Sequence, residues 1–281
     1  MTRTPPRLLT IAGSDSGGGA GIQADLKAFA RGGAHGMSAI TAVTAQNTEA
    51  VTAVYPLPPE AVLEQVRAVT TDIGVDAVKI GMVGDAATIE AVAAALGLVG
   101  DVPVVLDPVM VAESGARLLD EEATDALRGL LVSRATVVTP NLPEAAVLAG
   151  VDSSDAEGLA RAVHALGPGA VVVTGGHRQE ATDVFFDGEH VELIPGQRHP
   201  DGAAHGSGCT HSATLAVQLA LGASPLEAAR HAREVAAAAV RDGLRELGTG
   251  PGPVDVFGLA RDRDPGHGPG TTSPETGRRL A

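Results

Sequence analysis

Cysteine, lysine and aromatic residues are almost missing from this chain. A single cysteine in 281 residues, Cys209, excludes an internal disulfide and a cysteine-built metal cluster. With no tryptophan and one tyrosine, Tyr55, an aromatic platform for stacking bases is not available. Only two lysines occur, Lys27 and Lys79. No Gly-Lys-Ser/Thr sequence exists, which excludes a Walker-type phosphate loop. Positive charge is scarce overall: the formal net charge is −14, and no Lys/Arg cluster offers an electrostatic footprint for nucleic acid or an anionic membrane. No apolar run approaches the length of a membrane span, and Met1 to Arg7 lacks the apolar stretch of a secretory signal. These absences predict a cytoplasmic protein.

What is present is an alternation of short β-branched runs with Ala/Leu-rich stretches. Strands are expected at Leu8–Ala12, Ala39–Ala45, Ala77–Met82, Val102–Val109, Thr136–Thr139, Ala170–Thr174 and Val184–Phe186. Helices are expected at Ile22–Ala30, Pro59–Thr70, Ala86–Leu96, Glu121–Leu131, Ala156–Leu166, Thr210–Leu221 and Pro225–Leu244. The pattern predicts an α/β fold with a mainly parallel central sheet covered on both faces. Turn signals near Asn47-Thr48 and Asp187-Gly188 add antiparallel strands. One domain is expected over residues 1–260. Residues 261–281, rich in Gly, Pro, Thr and charge and without hydrophobic periodicity, read as a disordered tail.

In open α/β sheets, ligands bind beyond the carboxyl ends of the strands, and nearly every predicted strand exit here carries glycine or a polar residue. The segment His205-Gly206-Ser207-Gly208-Cys209-Thr210 runs a glycine turn into a helix. Its unpaired N–H groups form a nest for an anion, and its field is expected to lower the Cys209 pKa. The alternative is a structural cysteine at a tight helix entry. Gly13 to Gly21 is a glycine-rich loop containing a G-x-G-x-x-A match. The acid that NAD binding requires at the next strand end is replaced by Gln46 and Asn47, so the loop is read as bringing backbone to a small planar ligand. Asp25 follows it; on spacing alone it is a solvated helix acid. Asp107, ending an apolar strand, and Glu144, opening a helix after Asn141, could share a hydrated Mg²⁺. Glu144 also suits a first-turn partner of the helix dipole. His177 after Gly175-Gly176 could bind ligand or simply be satisfied in its loop. His205 and His211 lack the companions of a zinc site, and no histidine stands out as the partner of a Cys–His protease.

Seven ordered motifs resemble one family. They are Leu9 to Lys27, Thr41 to Thr48, Lys79-Ile80-Gly81-Met82, Asp107 to Met110 with Ser114-Gly115, Thr139 to Ala145, Gly175-Gly176-His177 and the Cys209 turn. Together, over roughly residues 8 to 260, they resemble hydroxymethylpyrimidine/phosphomethylpyrimidine kinases of the ribokinase superfamily. The resemblance implies a three-layer αβα fold, ATP and Mg²⁺ as cofactors, and phosphorylation of 4-amino-5-hydroxymethyl-2-methylpyrimidine and of its monophosphate. It assigns Gly13, Asp25, Gln46, Met82 and Val109 to the pyrimidine, and Asn141 and Glu144 to Mg²⁺ and the phosphates. Gly206, Gly208 and Cys209 match the anion hole, with Cys209 taking the hydroxyl proton. Two departures concern the nucleotide: Thr174 and Arg233 stand where the family usually has lysines. A homodimer is expected by the same analogy. Alternatives are a pyridoxine/pyridoxal kinase and a pyrimidine-binding protein without catalysis.

Overall fold

Successive residues of the central strands point to opposite sides, and both sides are apolar. Leu8, Val105, Val137 and Val172 belong to one buried cluster, and Leu9, Leu106, Val138 and Val173 to another. Strands of this kind need cover on both faces. The computed structural model describes residues 4–112, 115–175 and 181–260 and supplies that cover. Its strands are β1 (Arg7–Ser14), β2 (His35–Gln46), β3 (Val51–Pro56), β4 (Ala77–Ile80), β5 (Val104–Leu106), β6 (Val137–Val138), β7 (Ala170–Val173), β8 (Asp183–Phe186) and β9 (Val191–Ile194). They form one sheet in the order β3-β2-β1-β4-β5-β6-β7-β8-β9. From β2 to β7 all pairings are parallel; β3, β8 and β9 add antiparallel edges through the two expected turns.

The helices are α1 (Gly21–Arg31), α2 (Pro59–Asp72), α3 (Ala86–Val99), α4 (Thr124–Ala126), α5 (Leu142–Ala149), α6 (Ala156–His164), α7 (Ser207–Ala220) and α8 (Pro225–Arg241). Val62, Ile89, Leu148 and Leu159 place α2, α3, α5 and α6 on one face of the sheet. Phe29, Leu215 and Ala229 place α1, α7 and α8 on the other. The three-layer αβα expectation is met. Among the described residues, no helix is long and apolar enough to cross a membrane.

Two expected elements differ. The strand expected over Val102–Val109 contracts to Val104–Leu106, because Pro103 and Pro108 at its ends have no N–H for the ladder. The helix expected over Glu121–Leu131 is a composite: a 3₁₀ turn at Glu121–Ala123, α4, a π-helical turn at Leu127–Leu131 and a 3₁₀ turn at Val132–Arg134. The expected tail lies outside the described residues. So do Ser114, Gly176 and His177.

Candidate active site

The parallel strands deliver their exits to one rim. Gly13, the next-to-last residue of β1, has almost no room beside it: a Cβ there would stand 2.3 Å from Met82 Cε. Gln46 ends β2 at a bulge, where its main chain exchanges hydrogen bonds with the Ser16 hydroxyl at 2.8 and 2.7 Å. Its Oε1 accepts from the Thr44 hydroxyl at 3.2 Å. Val109, half-buried, follows Asp107 in a tight turn, donating to the Asp107 carbonyl at 2.8 Å.

Asp15 organises the first glycine loop. Its carboxylate accepts N–H groups from Gly17 at 2.8 Å, Gly19 at 3.0 Å and Ala20 at 2.8 Å. Burial would raise this carboxyl, but His205, whose Nε2 lies 3.1 Å away, and the amides together hold it below the usual range. That contact stitches the loop to the second glycine turn. Gly206 caps α7 with φ +83°, and a Cβ there would fall 1.8 Å from the Gly19 carbonyl oxygen. Only glycine fits on both counts. No side chain caps α7, and the Gly208 and Cys209 amides have no hydrogen-bond partner among the described residues. A Cβ on Gly208 would meet nothing within 4 Å. The turn therefore opens a helix start with unpaired N–H groups, an arrangement that suits an anion.

The predicted low pKa of Cys209 is corrected. Burial pushes its thiol up to about 12, against the pull of Lys79 and the Gly21 amide and with the help of Asp25 and Asp107. Desolvation outweighs the helix terminus here. The reading of Asp25 as a solvated acid is corrected too: Asp25 has no exposed surface. Its oxygens take Lys79 Nζ at 2.9 Å and the Thr10 hydroxyl at 2.6 Å, so the carboxylate lies beneath the rim and offers no face to a ring. Lys79, also fully buried, reaches Asp107 at 3.8 Å, and Asp107 accepts the Ser212 hydroxyl at 2.9 Å.

Glu144 and Asn141 form a capping box on α5: each side chain accepts the other's backbone N–H at 2.9 Å. The dipole-partner reading is correct as far as it goes. Glu144 is also buried beside Asp107, and desolvation together with that neighbour pushes it up to about 8. Two carboxylates, one driven toward its neutral form by burial and by its neighbour, are a donor set that a hydrated Mg²⁺ fits. Among the described residues no cluster of three or more His, Cys, Asp or Glu could hold a metal, so most of such an ion's ligands would be water or phosphate oxygens.

Thr174 leaves β7 paired to Asn141 in an isolated parallel bridge, its N–H on the Pro140 carbonyl at 2.9 Å. Arg233 does not face this rim openly, which corrects its reading as a phosphate ligand. Its side chain is 12% exposed; it lies 3.5 Å from Asp183 Oδ1 and donates to the Ala181 carbonyl. Asp183 in turn accepts the Gly175 N–H at 2.7 Å and faces His211 Nε2 at 3.6 Å. The guanidinium's charge is spent inside the fold.

Lys79, Asp15, Ser212 and Asp183 received no role from the sequence. Lys79 carried a usable signal: a lysine inside the apolar run Ala77-Val78-Lys79-Ile80 must be buried with a partner. A different concavity, lined by Thr4, Arg7, Gly33 and Leu221, lies at the amino ends of the strands, away from this rim.

A mainly parallel αβα sheet with an uncapped glycine turn and paired carboxylates on one rim is the architecture of a ribokinase-like small-molecule kinase. Residues 15–255 match the family described as phosphomethylpyrimidine kinase. A hydroxymethylpyrimidine/phosphomethylpyrimidine kinase from Rhizobium meliloti is 49% identical over 256 residues, 89% of this chain and 96% of that protein. The thiamine biosynthesis bifunctional protein ThiED from Geobacter sulfurreducens is 44% identical over 91% of this chain and 53% of its own length. The structure of pyridoxal kinase from Staphylococcus aureus in complex with ADP superposes with a TM-score of 0.84 at 33% identity, covering 93% of this chain and 96% of that one. The chain belongs to the phosphomethylpyrimidine kinase family.

Proposed function

We propose that this protein transfers the terminal phosphoryl group of ATP to the hydroxymethyl oxygen of 4-amino-5-hydroxymethyl-2-methylpyrimidine and then phosphorylates the monophosphate, supplying the diphosphate to thiamine biosynthesis in the cytoplasm. The observation that carries this reading is the uncapped start of α7, with Cys209 in its first turn and the Gly19 loop packed against it. Gly13, Met82, Gln46 and Val109 form the acceptor end. Asn141 and Thr174 form the nucleotide end. The Gly206–Cys209 turn lies ready for charge that builds on the transferring group. Asp107 and Glu144 would hold Mg²⁺, which when bound supplies positive charge to the phosphates.

Cys209 takes the hydroxyl proton, and it can do so only as thiolate. In the ligand-free chain the thiol keeps its proton, because burial and two carboxylates oppose ionisation. Loss of negative charge at Asp107 would favour the thiolate. The second phosphorylation makes a different demand. A phosphate monoester is already largely ionised near neutral pH, so its attacking oxygen needs no base. Cys209→Ala should therefore lower kcat on the alcohol by about 10²–10⁴-fold and on the monophosphate far less. Full activity on the alcohol would remove the proton-acceptor role. Pyridoxal belongs in the same assay, given the likeness to a pyridoxal kinase; a preference for it would replace the pyrimidine reading. A homodimer through β2 and β3 accords with Val43, Val54 and Tyr55 being exposed there.

A further inference from the structure

We propose that His205 is a positioning residue: its contact with Asp15 locks the glycine turn at the start of α7 to the acceptor loop, so that the acceptor oxygen and the Gly208 and Cys209 amides meet in one register. This rests on the reading of the chain as a small-molecule kinase, and it adds a side chain outside those assigned to substrate, phosphate or metal.

One carboxylate oxygen joins the two glycine segments. Asp15 Oδ2 accepts the Gly19 N–H at 3.0 Å and the Ala20 N–H at 2.8 Å within its own loop. The same oxygen lies 3.1 Å from His205 Nε2, across 190 residues of sequence. An ionised carboxylate only accepts, so Nε2 carries a proton and donates it to the bond. The Asp15 side chain is 3% exposed and that of His205 13%, so little water competes for the contact. Removing one partner of such a pair leaves the other buried and short of a hydrogen bond.

Each partner is anchored to the part of the site it serves. Ser14 and Ser16 flank Asp15 on the acceptor side. The Ser14 carbonyl accepts the Thr44 hydroxyl at 2.9 Å, and the Ser16 hydroxyl is bonded to the Gln46 main chain. The Asp15 N–H donates to Gln23 Oε1 at 2.9 Å. On the transfer side, His205 immediately precedes the Gly206 cap. Its carbonyl accepts the Val254 N–H at 3.0 Å, and it pairs with Pro253 in an isolated parallel bridge. The imidazole lies over Gly19, where a Cβ would stand 2.2 Å from His205 Cδ2. Ring and cap thus close on one glycine. Packing fixes how near the two segments come, and the hydrogen bond adds direction. Phosphoryl transfer depends on that direction, since attacking and leaving oxygens must stand roughly in line and most of the catalysis is positioning.

Kinetics of the full chain with ATP and Mg²⁺ test this. His205→Leu keeps apolar bulk against Gly19 and Pro253 and removes the donor. His205→Gln puts an amide nitrogen at the reach of Nε2. The leucine variant should lose about 10²-fold in kcat, the scale of a small misplacement away from the chemistry, with the acceptor KM nearly unchanged. The glutamine variant should recover most of that loss. The loss should be equal on the alcohol and on its monophosphate, because geometry is at stake and not a proton. A leucine variant as active as wild type would overturn the proposal, and so would a glutamine variant no better than leucine. A loss carried by KM as much as by kcat would assign His205 to general folding, and a loss confined to the alcohol would assign it to proton transfer; either result overturns the positioning role. Should His205→Leu not fold, His205→Asn takes its place, the shorter amide keeping a donor without the reach. Every variant is compared with wild type on the acceptor that wild type phosphorylates, the pyrimidine or pyridoxal. Failure of the pyrimidine reading therefore shows in the wild type, and failure of this proposal in the variants.

Discussion

Thr174 offers the nucleotide side a hydroxyl where the family resemblance leads one to expect a lysine, and the structure removes the obvious substitute by turning Arg233 inward to Asp183. The nucleotide phosphates would then rely on the α7 nest and Mg²⁺. Thr174→Lys should lower the ATP KM. A hydrogen bond to a charged group contributes about 1.5–3 kcal/mol, and the half-buried position with its salt screening places the gain at the low end, about tenfold in KM. The gain should shrink as salt rises. Initial-rate measurements at two ionic strengths check this; an unchanged KM would mean the nest already saturates the phosphate charge. Residue by residue, legibility followed chemistry that is local in sequence. Gly206, Gly208, Cys209, Asn141 and Glu144 lie within short motifs, and the turn and the helix starts that those motifs predict are present at Gly206 and Asn141. Asp25, Arg233 and the Cys209 pKa were misread for one reason. Each depends on partners from 50 to 130 residues away, namely Lys79, Asp107 and Asp183, and no spacing within one chain segment encodes burial.

At the scale of elements, helix α7 carries the site through its entry rather than its body. Gly206→Ala would put a methyl group on a backbone with φ +83° and 1.8 Å from the Gly19 oxygen. The turn must move, and the Gly208 and Cys209 amides move with it. Removing a single oxyanion-type donor costs about 10²–10³ in kcat, so a loss of at least that size is expected, larger than the change in pyrimidine affinity. Calorimetry of pyrimidine binding alongside turnover checks the split; equal losses in both would place Gly206 in general folding instead. Helices with clear caps were legible from sequence: Asn141 with Glu144 opens α5, and Ser224 with Glu227 opens α8. The segment 121–134 was not, because its apolar spacing is helical while its backbone hydrogen bonding changes from 3₁₀ to α to π within fourteen residues. Periodicity reports which side is buried and is blind to how the turns are wound.

For the whole molecule, the charges that matter are few and titrate in separate windows. Asp15 and Asp183 are held low, so their stabilisation is present above the ordinary carboxylate pKa and is lost as pH falls through the folded value. Cys209 is raised from 9.0 to about 12, so its contribution to stability is lost only as pH rises between those values. Glu144 moves from 4.5 to about 8, and burial raises Asp25 as well. The folded metal-free protein therefore binds more protons at this site than the unfolded chain between those limits, and its stability must fall as pH rises through them. The cause is burial beside Asp107, so the same slope should vanish when a divalent cation neutralises the pair. Three melting curves test this. The metal-free wild type should lose stability from about pH 5 to about pH 8, each kcal/mol being about 2–4 °C for a domain of roughly this size. Glu144→Gln keeps an oxygen for the Asn141 N–H and should flatten the dependence. Mg²⁺ should raise the melting temperature of the wild type more at pH 8 than at pH 5, since binding competes with the proton that Glu144 holds at the lower pH. If wild type and Glu144→Gln share one slope, the carboxylate pair is not what couples cation binding to the fold, and the Mg²⁺ assignment at Asp107 and Glu144 falls with it.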